Sequence, residues 1–407
     1  MNPLLVFSHL RWNFVYQRPQ HLLSRLAAHR EVIFFEEPVP GADHPWLEHL
    51  PAPAGVTVLR PHVTGRRPGF DPEHLHILRQ MLRGIRAAHA PRGCLAWFYT
   101  PMALPLADAL RPAAIVYDCM DELAAFRGAP PQLAQHEAAL LRRADLVLTG
   151  GRSLHEAKRG RHANVHCFPS SVDAAHFGRA RGDHPSQSGL PRPRLGYYGV
   201  IDERLDLGLL ASLADARPDW QVVMVGPVAK IDPAGLPRRA NLHWMGPRDY
   251  AELPAHLAGW DVCLMPFALN ESTRFISPTK TLEYLAAGRP VVSTRIRDVA
   301  EAYSGVVAIA DDAAEFVGAC ARILGWSEAE RSAHRRRAWA VLDGNSWDAT
   351  AARVAELLAL LEPGVPADAA ADPASDAAEE GPAAVRPWVV PVGAAARPTA
   401  RASRIAP

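Results

Sequence analysis

Short β-rich runs alternate with longer helical patterns twice along this chain, on either side of a polar stretch, and few architectures accommodate that pattern. The first set of runs is Leu4 to Ser8, Glu31 to Glu36, Val56 to Leu59, Leu95 to Tyr99, Ala114 to Tyr117 and Asp145 to Thr149. Between them lie helical spacings such as Leu22, Leu23 and Leu26 after Arg18-Pro19, and Leu75, Leu78, Met81, Leu82 and Ile85. Strands separated by helices pair in parallel through crossovers that cover both faces of the sheet. The Gly, Pro, Ser and Arg-rich stretch after Asp173 reads as a linker. The alternation then resumes at Leu195 to Val200, Gln221 to Val225, Asn241 to Met245, Asp261 to Pro266, Pro290 to Thr294 and Val306 to Ile309. Helices are expected near 204 to 214, 249 to 258, 278 to 287, 312 to 324 and 328 to 341. The expected fold is therefore α/β, with two tandem Rossmann-like doubly wound domains, 1–173 and 194–346, facing a cleft and joined by a linker at 174–193. A helix follows at 347–362. Residues 363–407 are Ala, Pro and charge and read as a disordered tail whose one sticky segment is Trp388-Val-Val-Pro-Val392.

At 407 residues the chain exceeds what one core usually serves, in keeping with two domains. Its 44 basic and 43 acidic residues leave a net charge of +1, so no global field favours a nucleic-acid partner. Five cysteines, far apart and without a C-x-x-C pair, argue for a reducing cytosol and against structural zinc. The N-terminus carries no positive leader, and no apolar run approaches the roughly 20 residues that span a bilayer. The expectation is a cytoplasmic protein whose membrane contact, if any, is peripheral and at the inner face.

Open α/β sheets bind ligands at the carboxyl ends of their strands. No G-x-G-x-x-G follows the first strand, and Gly196-Tyr-Tyr-Gly199 lacks the third glycine, which disfavours a dinucleotide oxidoreductase. The stretch Phe275-Ile-Ser-Pro-Thr-Lys-Thr-Leu-Glu-Tyr-Leu-Ala-Ala-Gly-Arg-Pro-Val-Val-Ser-Thr294 joins a charged helix start to a buried strand. Ser277 is expected as its N-cap and Pro278 as its first helical residue, with Gly288 and Pro290 ending the helix. Thr279, Lys280 and Glu283 then share one face, where Lys280 and the amides of the first turn suit a diphosphate and Glu283 suits a ribose diol. An exposed Lys280–Glu283 pair beside an ordinary cap is the plainer alternative.

Several anchors in order resemble the retaining, B-type-fold glycosyltransferases of the "group 1" class, and among them the teichuronic-acid-type envelope enzymes. These are Ala144-Asp-Leu-Val-Leu-Thr-Gly-Gly-Arg-Ser-Leu154, Asn164-Val-His-Cys-Phe-Pro-Ser-Ser-Val-Asp173, Leu195-Gly-Tyr-Tyr-Gly-Val200, Val222-Val-Met-Val-Gly226 and Leu242-His-Trp-Met-Gly246. The resemblance covers roughly residues 1 to 360. Two departures stand out: Ser170-Ser171 replaces the usual Asn-Gly, and Phe275 occupies the first position of the family's Glu-x7-Glu pair, whose second position is Glu283. The resemblance implies a donor site in which Lys280 and the amides of Ser277 to Thr281, with Thr279 between them, hold the diphosphate of a nucleotide sugar. Arg204 adds charge to it, or pairs with Asp202 or Asp206 on its own helix start. Gly246-Pro-Arg248 borders the nucleobase, and helix 347–361 packs back on the first domain.

On the first domain, Arg11, Trp12, Arg18 and His21 follow the first strand and are expected to edge the cleft on the acceptor side. Asp118 and Asp121 end a strand at its mouth and are candidates to orient hydroxyls or act as base, alongside Lys280 as the catalytic cation. Asp118 is equally read as the cap of its own turn. No metal is expected, because the spacing is not Asp-x-Asp, and no cofactor beyond the nucleotide-sugar substrate. The partners expected are that donor and a glycan or lipid-linked acceptor; Arg79, Arg83, Arg86 and Arg335-Arg-Arg337 are read first as solvated helix faces and second as places for peripheral membrane contact. The activity expected is transfer of a sugar from a nucleoside-diphosphate sugar to an envelope polysaccharide or lipid-linked acceptor, with retention. A nucleotide-sugar epimerase or a non-catalytic binding partner of the same fold are the alternatives.

Overall fold

A computed structural model describes residues 1–179 and 182–362; the tail at 363–407, with its Trp388–Val392 segment, lies outside the described residues. Residues up to 362 belong to one compact unit built on two sheets. The first domain runs β1 (Leu4–Ser8), α1 (Arg18–Leu26), β2 (Val32–Glu36), β3 (Trp46–Leu50), β4 (Val56–His62), α2 (Leu75–His89), β5 (Leu95–Phe98), β6 (Ala114–Cys119), α3 (Leu133–Arg143), β7 (Leu146–Thr149), α4 (Arg152–Lys158), β8 (Val165–Cys167) and α5 (Ala174–Phe177). Its eight strands lie in the order β3-β4-β2-β1-β5-β6-β7-β8, all parallel except the β3–β4 pair. Strands such as Leu4-Leu-Val-Phe-Ser8 and Val32-Ile-Phe-Phe-Glu36 are buried on both faces, so they read as continuous apolar runs rather than alternating ones.

The second domain runs β9 (Arg194–Tyr198), α6 (Leu207–Ala216), β10 (Gln221–Val225), β11 (Leu242–Trp244), α7 (Leu253–Ala258), β12 (Val262–Met265), α8 (Lys280–Ala286), β13 (Val291–Thr294), α9 (Arg297–Tyr303), β14 (Val307–Ala310), α10 (Ala313–Leu324) and α11 (Glu328–Leu342). The order β11-β10-β9-β12-β13-β14, all parallel, reverses direction between β9 and β12. A crevice opens outside the strand ends at such a reversal. Finally α12 (Trp347–Ala359) crosses back, and its Ala351, Val354 and Leu358 share a core with Leu22, Leu23 and Leu26 of α1.

Two strands go beyond the expected set. The chain Trp46-Leu-Glu-His-Leu50 is an antiparallel edge with one face in solvent, and Val165-His-Cys167 is only three residues long and half-buried. Neither has the dense apolar run that marks the central strands. The helix expected from Pro278 begins at Lys280, after a tight turn closed by the Thr281 N–H donating to the Pro278 carbonyl at 3.2 Å. Ser277 is therefore not the N-cap. Its carbonyl instead accepts a hydrogen bond from Ser170 Oγ of the first domain at 2.6 Å.

The domains meet through several side chains besides α12. The Ser153 N–H donates to Asp298 at 3.1 Å, and Arg297 pairs with Glu156 at 2.8 Å. Phe126 of the first domain lies under two cations of the second, Lys230 at 4.9 Å and Arg204 at 5.6 Å from its ring centre. Phe275 packs against the core of the first domain, which explains an apolar residue at that position.

Candidate active site

The crevice at the β9–β12 reversal is a cavity of about 660 Å³ shared by both domains. From the second domain it is walled by Tyr198, Gly199, Arg204, Tyr250, Lys280 and Glu283. From the first, the loop Trp12 to Gln17 and the segment Pro51 to Pro53 face it. A smaller cavity of about 100 Å³ adjoins it, and the two share Gln17, Arg204, Thr279 and Lys280. Asp121, Arg18, Gly150, Ser170 and the segment Ile276 to Pro278 line only the smaller one.

Lys280 stands at the junction of the two cavities. Its ammonium lies 5.6 Å from the Tyr197 ring centre and has no ion-pair or hydrogen-bond partner among the described residues. Burial pushes its pKa down to about 8, against the attraction of Glu283. Gly199 makes the space for it: at φ 138° a side chain is disfavoured, and a Cβ there would run into Lys280 Cε and Nζ. Gly226, at φ 145°, is constrained in turn, because a Cβ on it would strike the Gly199 carbonyl. The glycines that end β9 and β10 thus exist to bring backbone and lysine together.

One turn deeper, Glu283 is 4% exposed and accepts a hydrogen bond from the Tyr198 hydroxyl at 2.5 Å. Burial raises its pKa, while Tyr198 and Lys280 oppose the shift. An exposed Lys280–Glu283 surface pair is thereby excluded. The site places one buried carboxylate and one half-buried, unpaired cation on the same short helix.

The remaining expected residues divide between the site and the frame around it. Thr279 lines both cavities, whereas the Thr281 side chain is buried with its hydroxyl 3.4 Å from Met265 Sδ. Thr281 therefore offers neither side chain nor amide to a ligand. Arg204 reaches both cavities while pairing with Asp202 at 2.7 Å, so the local ion pair and the cleft position are both realised. Arg248 lines the larger cavity; Gly246 does not, but its φ of 70° shapes the turn and its carbonyl accepts from the Gly226 N–H at 2.8 Å.

On the first domain the expected acceptor-side residues are mostly engaged with the protein. Arg18 is 3% exposed, and its guanidinium grips Asp118 at 2.9 Å and the Phe168 carbonyl at 2.8 Å. Asp118 is fully buried in that pair, which corrects its assignment as a base or orienting group at the cleft mouth. Arg11 is held by Glu36 at 3.0 Å and by the Glu37 carbonyl. Trp12 packs on Phe34 and presents an edge to the larger cavity. His21 does not reach the cleft. It stacks on Trp347 of α12 with ring centres 4.9 Å apart, meets Tyr16 and Tyr250 edge-on, and is kept neutral by a burial that lowers its pKa to about 3. Asp121 alone keeps a carboxylate in the site, without a hydrogen bond among the described residues; burial raises its pKa, with Arg204 and Lys230 pulling it back.

Sequence reasoning missed Tyr198, Tyr250 and the Pro51–Pro53 segment. Tyr198 sits inside Gly196-Tyr-Tyr-Gly199, where the glycines are a signal, but its bond to Glu283 spans 85 residues. Among the described residues no group of three or more His, Cys, Asp or Glu is arranged to hold a metal, and no helix is long and apolar enough to cross a membrane.

Residues 193–325 match the family described as glycosyl transferases group 1. A Bacillus subtilis (strain 168) protein named as a teichuronic acid biosynthesis glycosyltransferase, TuaH, is 29% identical over 292 residues, 66% of this chain and 73% of its own length. Among solved structures, a sucrose-phosphate synthase from Thermosynechococcus elongatus superposes with a TM-score of 0.66 at 17% identity, covering 89% of this chain and 99% of its own. An E. coli trehalose-6-phosphate structure bound with UDP-2-fluoro glucose gives 0.65 at 15%, covering 88% and 99%. The chain thus carries a domain that matches the group 1 glycosyltransferases at residues 193–325, and it shares the GT-B fold of those solved structures.

Proposed function

We propose that the enzyme transfers a sugar from a nucleoside-diphosphate donor to a glycan or lipid-linked acceptor in envelope polysaccharide synthesis, with retention at the anomeric carbon. The observation that carries this reading is the unpaired Lys280 ammonium between two joined cavities, one turn from the buried Glu283. A half-buried cation without a partner loses part of its hydration, a cost that a bound anion offsets. In this reading the diphosphate is that anion, Glu283 accepts hydrogen bonds from the ribose diol, and Tyr250 and Arg248 border the base.

The anomeric C–O bond breaks with its electron pair leaving on the diphosphate oxygen, the acceptor oxygen takes its place at carbon, and the acceptor's hydroxyl proton passes to the departing diphosphate. Lys280 and Arg204 stabilise the growing charge on the leaving group. No metal or organic cofactor is required for that stabilisation. The acceptor approaches from the first-domain wall, and the name of the Bacillus subtilis relative points to an envelope polymer.

A thermal-shift panel of UDP, GDP, ADP and TDP tests the donor site. Ligand at about a hundred times its dissociation constant stabilises by roughly 2.7 kcal/mol. A selective shift is expected in the wild type and its loss in Lys280→Met; no shift with any of the four would overturn the reading. Product analysis with the nucleotide sugar then distinguishes transfer to an acceptor from epimerisation.

A further inference from the structure

We propose that the smaller cavity seats the sugar of the donor, and that Asp121, reaching in from the first domain, restricts it to sugars that carry no carboxylate. The inference rests on the donor reading above and adds to it the chemical class of the transferred group.

The order of the walls fixes the position. Residues read as contacting the nucleoside, Tyr198, Tyr250, Arg248 and Glu283, line the larger cavity alone. Lys280, Thr279, Arg204 and Gln17 line both and mark where the diphosphate passes. In a nucleotide sugar the sugar lies beyond the diphosphate from the nucleoside. It therefore falls on the other side of Lys280, in the smaller cavity.

The charges around that cavity then select the sugar. Arg18 is neutralised by Asp118 and Arg204 by Asp202. Lys280 serves the diphosphate. The carboxylate that faces the space is Asp121, attracted by Arg204 and Lys230 but without a hydrogen bond among the described residues, with Phe267, Ile276 and Met120 as apolar wall. A carboxylate facing neutral hydroxyls accepts hydrogen bonds from them. Facing a uronate, it meets like charge at short range. Phe275, one residue before this wall, is turned into the core of the first domain, so the carboxylate that addresses the sugar comes from the opposite domain. The subsite is composite and is complete only when the two domains are together.

Titration calorimetry on the full chain tests this with three probes: whichever of the four nucleoside diphosphates binds, its glucose conjugate and its glucuronate conjugate. In the wild type the glucuronate conjugate is expected to bind at least about tenfold more weakly than the glucose conjugate. Asp121→Asn should narrow that ratio by about fivefold while leaving the free nucleotide within about twofold. Asp121→Ser, checked with it for an unchanged melting temperature, should behave alike. Equal wild-type affinity for the two conjugates, or a ratio unmoved in both folded variants, would overturn the assignment of Asp121 while the donor site stood. Absence of binding by every nucleoside diphosphate would instead overturn the donor site and this inference with it.

Discussion

The two edges of the cleft treat their central charges differently. On the first domain, Arg18 is closed by Asp118, and Arg11 and Arg60 by Glu36. These pairs fix the loop after β1 that faces the cavity. On the second domain Lys280 is left without a partner, and Glu283 has only a tyrosine hydroxyl. A charge whose partner is built in holds a shape, whereas a charge that has lost hydration and lacks one is less stable until something binds. The contrast separates framework from binding surface more reliably than residue type does.

The largest effect that would break this contrast is on the framework side. Arg18→Ala strands Asp118 in the core and should cost about 3–5 kcal/mol in denaturant unfolding, while replacing both partners by apolar residues should cost much less. If the single variant were neutral, Arg18 would belong with the binding residues. Lys280→Met should do the reverse, weakening nucleotide binding about a hundredfold while raising the stability of the free protein by about 1–2 kcal/mol near pH 7. The sign follows from the pKa lowered to about 8: between there and 10.5 the unfolded chain holds more protons, so the protonated folded state at neutral pH is the strained one.

Glu283→Gln and Tyr198→Phe address a smaller term. Each should weaken nucleotide binding by about tenfold with little change in melting temperature, and a deoxyribose nucleotide should erase most of the difference between Glu283→Gln and wild type. The smallest effect concerns His21. Because it is buried neutral with its pKa near 3, stability is full above pH 6.5 and falls as the pH drops toward 3. His21→Phe should keep the stack on Trp347 and recover about 1–2 kcal/mol at pH 5. Identical acid limbs for the two proteins would show that other groups govern that loss.

Much of the fold is legible because doubly wound sheets write themselves as dense apolar runs between helices; Leu4–Ser8 and Gln221–Val225 have the very bounds expected. The half-exposed edge Trp46–Leu50 carries no such run and stayed hidden. Within the site, Lys280 and Glu283 are legible because both lie on one short helix. The pairing of Arg18 with Asp118 joins residues 100 positions apart, and nothing local in either segment announces it. Spacing alone likewise gave Asp118 and Asp121 the same standing, though Asp118 lies buried within β6 and Asp121 in the half-exposed loop beyond it. The turn at Pro278 shows the limit of cap chemistry: Ser277 has the right type, but its backbone is committed to Ser170 across the domain boundary.

The return of α12 to the first domain has a consequence for biosynthesis. One face of the first sheet, with α1 and Leu22, Leu23 and Leu26, is covered by Ala351, Val354 and Leu358. The ribosome makes that cover only after the entire second domain. A nascent chain therefore carries an open apolar surface through most of its elongation, about fifteen seconds or more at typical rates of synthesis. The second domain has no such dependence and can close as soon as α11 emerges, so the order in which the halves mature is the reverse of the order in which they are translated.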